Sequence, residues 1–342
     1  MASGAPDQLV YLSNRPAVLA ETLAYVRHFM PWVREAVVLA PTASLDDLKR
    51  ATEASGIDVV LVDEGALLTA AEQAELPSHH GERNTRLRRA LLARGPVDDV
   101  FLQSDDDYRP LKPVDASLFA EDGRLVPYAY YDLAQWRRNE SSFDRVQHVS
   151  YLVLSYLGAG TLGFASHMPQ AIDKALAIES FDVAARITGG VEFDEWSLPI
   201  NYAIQQAPDR FTAPRTFRTM CWPQYPHEWP YWRRPEDLAF ENFYPELYQP
   251  GRLFAGIATA LDENEPERQA FAKLDRWHTF DLEAAQLRFP KGVANPWQTS
   301  AGRRLFFWSA RRARKLYEYA ALEERTRLAA LAGAVARLEQ QP

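Results

Sequence analysis

Asp105, Asp106 and Asp107 stand side by side in FLQSDDDYRPLKP, residues 101–113, just after an apolar run and just before two basic residues and two prolines. Three adjacent like charges repel one another, so an exposed strand end gains nothing from them. An Asp-X-Asp pair such as Asp105 and Asp107 presents hard oxygen donors two residues apart. Mg²⁺ and Mn²⁺ take oxygen ligands, and Mg²⁺ commonly uses one or two carboxylates together with phosphate oxygens. A solvated acidic turn would have the same composition, so the position of the run in the fold has to separate the two readings.

The elements before it supply that position. Leu9–Leu12 reads as a short buried strand ended by SNRP, and AVLAETLAYVRHFM has the apolar spacing of a helix, ended by Pro31. EAVVLAP is a second strand, and LDDLKRATEASG a second helix closed by Gly56. IDVVLVDE, ERNTRLRRALLARG and VDDVFLQSDDD continue as strand, basic helix and strand. Strictly alternating strands and helices form βαβ units on a mainly parallel sheet with helices on both faces, an α/β fold. Ligands of such sheets bind beyond the carboxyl ends of the strands. SNRP, VDE and SDDD all lie at such ends, so they should meet at one cleft.

Composition narrows the function classes. The chain has 342 residues, 47% hydrophobic and 25% charged, enough for one large domain or two. A formal net charge of −8 argues against general nucleic-acid binding. The single cysteine, Cys221, excludes an intramolecular disulfide and a multi-cysteine zinc site, and fits a reducing cytoplasm. The start, MASGAPDQLVYLSNRP, has no basic stretch followed by an apolar core, so no signal peptide is expected. The longest uncharged stretch, residues 149–166, is broken by glycines and hydroxyl residues. It reads as a buried strand or helix segment with a Gly-rich turn, not as a membrane span.

Later segments are less regular. RLVPYAYYDLAQW reads as a strand and MPQAIDKALAIESF as a helix. Residues 216–251 are dense in Trp, Tyr and Pro, which forbids long regular elements. Residues 301–341 are helical in composition. The expected division is therefore 1–215 as an α/β domain, 216–300 as an aromatic, Pro-rich region, and 301–342 as a C-terminal helical segment.

YLSNRPAVLAETLAYV, HHGERNTRLRRALL and VFLQSDDD resemble, in order and spacing, the opening of family-2-type glycosyltransferases of GT-A fold. The resemblance covers roughly residues 8 to 115, and it implies that 1–215 is the nucleotide-sugar-binding and catalytic domain and 216–300 the acceptor side. It implies that Ser13, Asn14 and Arg15 lie along a nucleotide, that Asp63 approaches the base, and that Arg83 faces the diphosphate, whose geometry suits a guanidinium. It implies further that Asp105 and Asp106 contact the nucleotide, and that Asp105 and Asp107 hold Mn²⁺ or Mg²⁺. His227, in YPHEW, would be a further metal ligand, and His278 a weaker alternative. Without the resemblance, Arg83 reads as a surface arginine, Asn14 and Arg15 as a polar turn, and Asp63 as an ordinary strand-end acid.

Transfer to an acceptor hydroxyl needs a base if the reaction inverts. Glu192, Asp194 and Glu195 in GGVEFDEWSL are the candidates, with Asp194 first, since Gly189–Gly190 permits a tight loop. Acids decorating a helix start are the alternative. His167 is a candidate contact to acceptor or phosphate. Trp222–Trp232, with Trp136 and Tyr130, suit a sugar-binding groove or a second core. GDP-mannose is favoured as donor over a UDP-hexose, on overall likeness to actinobacterial polysaccharide enzymes and an Ala/Arg-rich composition. The acceptor would be a growing glycan or glycoside. FASHMPQAIDKALAIESF and EFDEWSLPINYAIQ also resemble the Stealth sugar-1-phosphate transferases, which makes phosphotransfer the alternative, followed by a non-catalytic carbohydrate-binding protein. The C-terminal helix would serve packing or homo-oligomerisation, or peripheral contact with the inner membrane face.

Overall fold

Runs of Val, Leu and Ala too short for helices become the parallel strands β1 (Gln8–Leu12), β2 (Glu35–Ala40), β3 (Asp58–Asp63) and β4 (Val100–Gln103). The computed structural model describes residues 5–136, 142–220 and 237–288. Linking the strands are α1 (Pro16–Phe29), α2 (Leu45–Thr52), two short turns α3 (Glu64–Leu67) and α4 (Ala70–Ala74), and α5 (His80–Arg94). Pro16 starts α1, where its missing N–H costs nothing, and Leu19, Leu23 and Val26 form its buried stripe.

Beyond β4 come β5 (Tyr108–Pro110), the hairpin of β6 (Ala120–Glu121) and β7 (Arg124–Leu125), then β8 (Tyr128–Ala129) and β9 (Tyr131–Asp132). There follow α6 (Ser142–Tyr156), β10 (Leu162–Gly163), β11 (Gln170–Asp173), α7 (Lys174–Thr188) and α8 (Ser197–Gln206). The described chain ends with β12 (Arg215–Thr216), β13 (Thr219–Met220), β14 (Phe240–Asn242) and α9 (Pro266–Arg288).

The central sheet runs β11-β4-β1-β2-β3, parallel except for β11. Consecutive residues of β1 and β2 are buried, so both faces of the sheet are covered, as a parallel sheet requires. The expected mainly parallel α/β architecture is therefore present. Residues 168–181 depart from the expected single helix. Gln170–Asp173 is an antiparallel strand on β4, and Asp173 then accepts the Leu176 N–H at 3.0 Å and starts α7. Gln170 fixes this strand by bonding both the N–H and the carbonyl of Tyr128. Residues 149–166 divide between the end of α6 and β10, joined through Gly158 at a left-handed φ of 67°.

Residues after 215 add strands beside the first part: β12 pairs β8, and β14 pairs β5 antiparallel with Asn242 opposite Tyr108. Among the described residues the main apolar core runs from Leu9 to Phe240, with a smaller cluster of Leu111, Met220, Phe254 and Ala270 beside it. No helix of the described residues is long and apolar enough to cross a membrane. His227, Cys221, the Trp222–Trp232 segment and residues 301–342 lie outside the described residues.

Candidate active site

The sheet order creates the cleft. From β1 the chain proceeds outward through β2 to β3, then returns through α5 to β4 on the other side of β1. The loops leaving β1 and β4 therefore part at the carboxyl end of the sheet, the switch point where open α/β sheets bind ligands. A cleft of about 840 Å³ opens there. Ser13, Asn14 and Arg15 line it from the end of β1, Glu64 from the end of β3, His80, Gly81, Arg83 and Asn84 from α5, and Asp105 to Asp107 from the end of β4. Tyr108, Trp136, Phe143, His167 and Trp196 form an aromatic wall, with Asn242 and Tyr244 beside it.

The three aspartates have separate partners. Asp106 is buried and turned toward β1, accepting from Ser13 Oγ at 2.5 Å and Arg15 Nε at 3.1 Å, while its carbonyl accepts from Thr22 Oγ1. It ties the β1 loop to the β4 loop. Asp105 accepts from Arg88 Nη2 at 3.0 Å. Asp107 accepts from Arg15 Nη2 at 2.8 Å on Oδ2 and from Asn242 Nδ2 at 3.2 Å on Oδ1. Burial first, then Asp105, pushes the Asp107 carboxyl up to about 7, with Arg15 opposing. Asp105 is also raised, chiefly by burial, with Arg88 opposing. This strand end holds more negative charge than its two guanidiniums offset.

Arg88 is the fixed cation. Fully buried on the inner face of α5, it donates to Glu195 Oε2 at 2.8 Å, the carbonyls of Val10 and Ser104, and Asp105. It thereby sets Glu195 beside Asp105 in the cleft, and burial pushes the Glu195 carboxyl up to about 7. Asp194, the first choice for a base, lines the cleft with both oxygens engaged. Oδ1 accepts from Gln147 Nε2 at 2.9 Å, and Oδ2 accepts the Ser197 N–H at 2.5 Å at the start of α8. Its placement is thus the structural one, an acid at a helix start, because the loop turns it inward. Glu192 pairs with Arg86 and does not line the cleft.

Asp63 does not line the cleft either. Its Oδ1 accepts from Thr42 Oγ1 at 2.5 Å and from the Gly65 N–H at 2.8 Å, capping α3. The next residue, Glu64, faces the cleft and pairs with Arg83, which lines the same wall. His278 is exposed on α9 and away from the cleft.

His167 lines the cleft with φ at 55°, a left-handed backbone that a non-glycine residue holds only when its surroundings impose it. Its ring meets Tyr108 and Tyr130 edge-on. Burial lowers its pKa to about 3, so it is neutral at physiological pH. The unfolded chain takes a proton near pH 6.5 that the folded chain refuses, so stability present above 6.5 is lost as pH falls below it. Between pH 6.5 and 4.5 the wild type should lose about 2 kcal/mol more than His167→Asn, allowing for the part of the ring that faces the cleft. Asn tolerates the left-handed backbone. Urea unfolding of both proteins at the two pH values checks this, and parallel losses would refute a buried neutral imidazole.

Among the described residues no group of three or more His, Cys, Asp and Glu is spaced to hold a metal ion. Asn242 lines the cleft, with its Nδ2 donating to Asp107 Oδ1 at 3.2 Å and its own Oδ1 buried with no hydrogen-bond partner. Carboxylate and amide oxygens such as these are hard donors of the kind Mg²⁺ and Mn²⁺ take. Sequence reasoning missed Asn242, Glu64 and Arg88. Only Arg88 left a local signal, an arginine on the same helix stripe as Thr85 and Leu92, both buried.

Fold and site thus define an α/β protein with a mainly parallel sheet and an acidic, aromatic-walled cleft at its switch point. The chain matches no protein-family model and no curated protein. Among solved structures it is similar to the galactosyltransferase LgtC in complex with donor and acceptor sugar analogs, at 14% identity over 78% of this chain and 95% of that one, TM-score 0.44. It is also similar to mouse xyloside xylosyltransferase 1 in its apo form, at 10% identity over 70% and 98%, TM-score 0.42. A third is the apo-form glycosyltransferase GlyE of Streptococcus pneumoniae TIGR4, at 11% identity over 81% and 62%, TM-score 0.34. All three are glycosyltransferases.

Proposed function

We propose that the protein is a GT-A-type glycosyltransferase. It moves a hexosyl group from a nucleoside-diphosphate sugar to a hydroxyl of a glycan or glycoside, with Mg²⁺ or Mn²⁺ as cofactor. One observation carries this reading: a single cleft joins an acidic strand end short of positive charge to an arginine and a helix start suited to phosphate. His79, at the start of α5, caps it with no side-chain bond, so the first N–H groups of a 15-residue helix are open to an anion beside Arg83. Asp105, Asp107 and Asn242 would hold the cation, which when bound offsets charge on the departing diphosphate.

Ser13, Asn14 and Arg15 would border the nucleotide, and Glu64 takes the place proposed for Asp63 near the base or ribose. Glu195 replaces Asp194 as the carboxylate that would serve the acceptor hydroxyl: both line the cleft and burial raises both, but both Asp194 oxygens accept hydrogen bonds whereas Arg88 takes Oε2 of Glu195. The aromatic wall of Tyr108, Trp136 and Trp196 would border the sugars, and His167 would bond a hydroxyl as a neutral ring. GDP-mannose remains the first donor to try and a UDP-hexose the second.

GDP or UDP at about 100 times its dissociation constant should stabilise the protein by roughly 2.7 kcal/mol with Mn²⁺ present, and much less without it. Thermal unfolding across nucleotides and metals measures this, and no shift with any pair would remove the donor-site assignment. Product analysis then fixes the reaction. Release of a nucleoside diphosphate with a new glycoside signal by NMR supports glycosyl transfer, whereas release of a nucleoside monophosphate would indicate sugar-phosphate transfer.

A further inference from the structure

We infer that Arg15 is an internal counter-cation, keeping the place of the divalent ion until a nucleoside diphosphate brings that ion in. The inference rests on the metal-dependent donor site proposed above. Arg15 bonds Asp106 through Nε and Nη2, and the same Nη2 reaches Asp107 Oδ2 at 2.8 Å. Asn242 Nδ2 takes the other Asp107 oxygen at 3.2 Å. Both oxygens of the carboxylate best placed to bind a cation are therefore engaged by side chains of the protein itself.

The two arginines of the cluster differ in freedom. Arg88 is fully buried with four acceptors and has nowhere to go. Arg15 has a side chain 45% exposed, on the loop that lines the cleft. Part-exposed ion pairs contribute little, so a divalent ion can displace the Asp107 contact while Asp106 keeps the guanidinium anchored. Asn242 brings a second unsatisfied group to the same place: it is 6% exposed, its Nδ2 donates to Asp107, and its Oδ1 has no hydrogen-bond partner. Displacement leaves Arg15 needing an anion, and a diphosphate entering with the ion supplies one. Metal and nucleotide should therefore bind with positive coupling that depends on Arg15, and such coupling is reciprocal.

Titration of the full-length protein with Mn²⁺, read by the EPR signal of the free ion, tests this for wild type and Arg15→Met, alone and with saturating UDP or GDP. Arg15→Met is expected to bind Mn²⁺ alone about tenfold more tightly than wild type, the scale of one lost charge competitor. Nucleotide should raise wild-type affinity for Mn²⁺ at least about tenfold and that of Arg15→Met by less than about threefold, within the usual range of coupling. Arg15→Lys, which keeps the charge without the fork that bridges two carboxylates, should fall between them and serves if Arg15→Met does not fold. Equal or weaker Mn²⁺ binding by a folded variant overturns the inference and leaves the donor site standing. No Mn²⁺ binding by any of the three proteins, with either nucleotide, overturns both.

Discussion

Asp107→Ala is expected to lower turnover at least about 10³-fold and to leave the fold intact. The loss follows from removing a cation ligand beside the phosphates, where one stabilising group is commonly worth about 10² to 10³ and the ion would go with it. The fold survives because this carboxylate is held against its neighbours' charge. Burial and Asp105 raise it to about 7. Its backbone carbonyl, which accepts the Phe243 N–H at 2.7 Å, is untouched by the substitution. Removal also relieves repulsion between Asp105 and Asp107. Turnover measured by nucleotide release, beside thermal unfolding of the same preparation, decides the matter. A variant with half the wild-type turnover would return the acidic run to a solvated turn.

Arg88→Met should cost about 3 to 5 kcal/mol, the usual consequence of removing one partner from a buried ionic group. The Met side chain fills much of the space but donates nothing. Asp105 and Glu195 then face each other with no cation between them, and the carbonyls of Val10 and Ser104 lose their donor. Adding Glu195→Gln removes one of the two stranded charges. It should recover about 1 to 2 kcal/mol, a non-additivity expected only of residues in one network. Glu195→Gln alone should stay folded and turn over about 10²- to 10⁴-fold more slowly if it serves the acceptor hydroxyl. Urea unfolding of the two single variants and the double variant supplies the cycle. A cost below about 1 kcal/mol for Arg88→Met would mean that this network is not what holds β1, β4 and α5 together.

The same residues show how far a sequence can be read. That Ser13–Arg15, the end of β3 and Asp105–Asp107 share one cleft was legible. Alternating strands and helices impose a parallel sheet, and a parallel sheet collects its strand ends on one side. How two adjacent acids divide between the cleft and local helix capping was not legible, because successive side chains at a strand end point in different directions. The answer depends on the turn that follows. Asp63 turns back to cap α3, so Glu64 takes the cleft position. Asp194 is drawn down by Gln147 and the start of α8, so Glu195 takes the position beside Asp105.

Local pattern also misread residues 168–181. Met168, Ala171, Ile172 and Ala175 satisfy a helical period, yet pairing with β4 and the Gln170 bonds to Tyr128 make the first part a strand. Tertiary hydrogen bonds outweigh a weak local preference there.

The sequence by itself determined the layer architecture, the switch-point cleft and the acidic strand end, because these follow from short-range periodicity and from the chain order of strands and helices. Only the tertiary structure decided the electrostatics inside the cleft. Asn242 reaches Asp107 across 135 residues because β14 pairs with β5, and Arg88 reaches Glu195 across 107 because α5 and the loop before α8 close on the same strand end. Such pairings depend on distances set by packing, and no spacing along the chain encodes them.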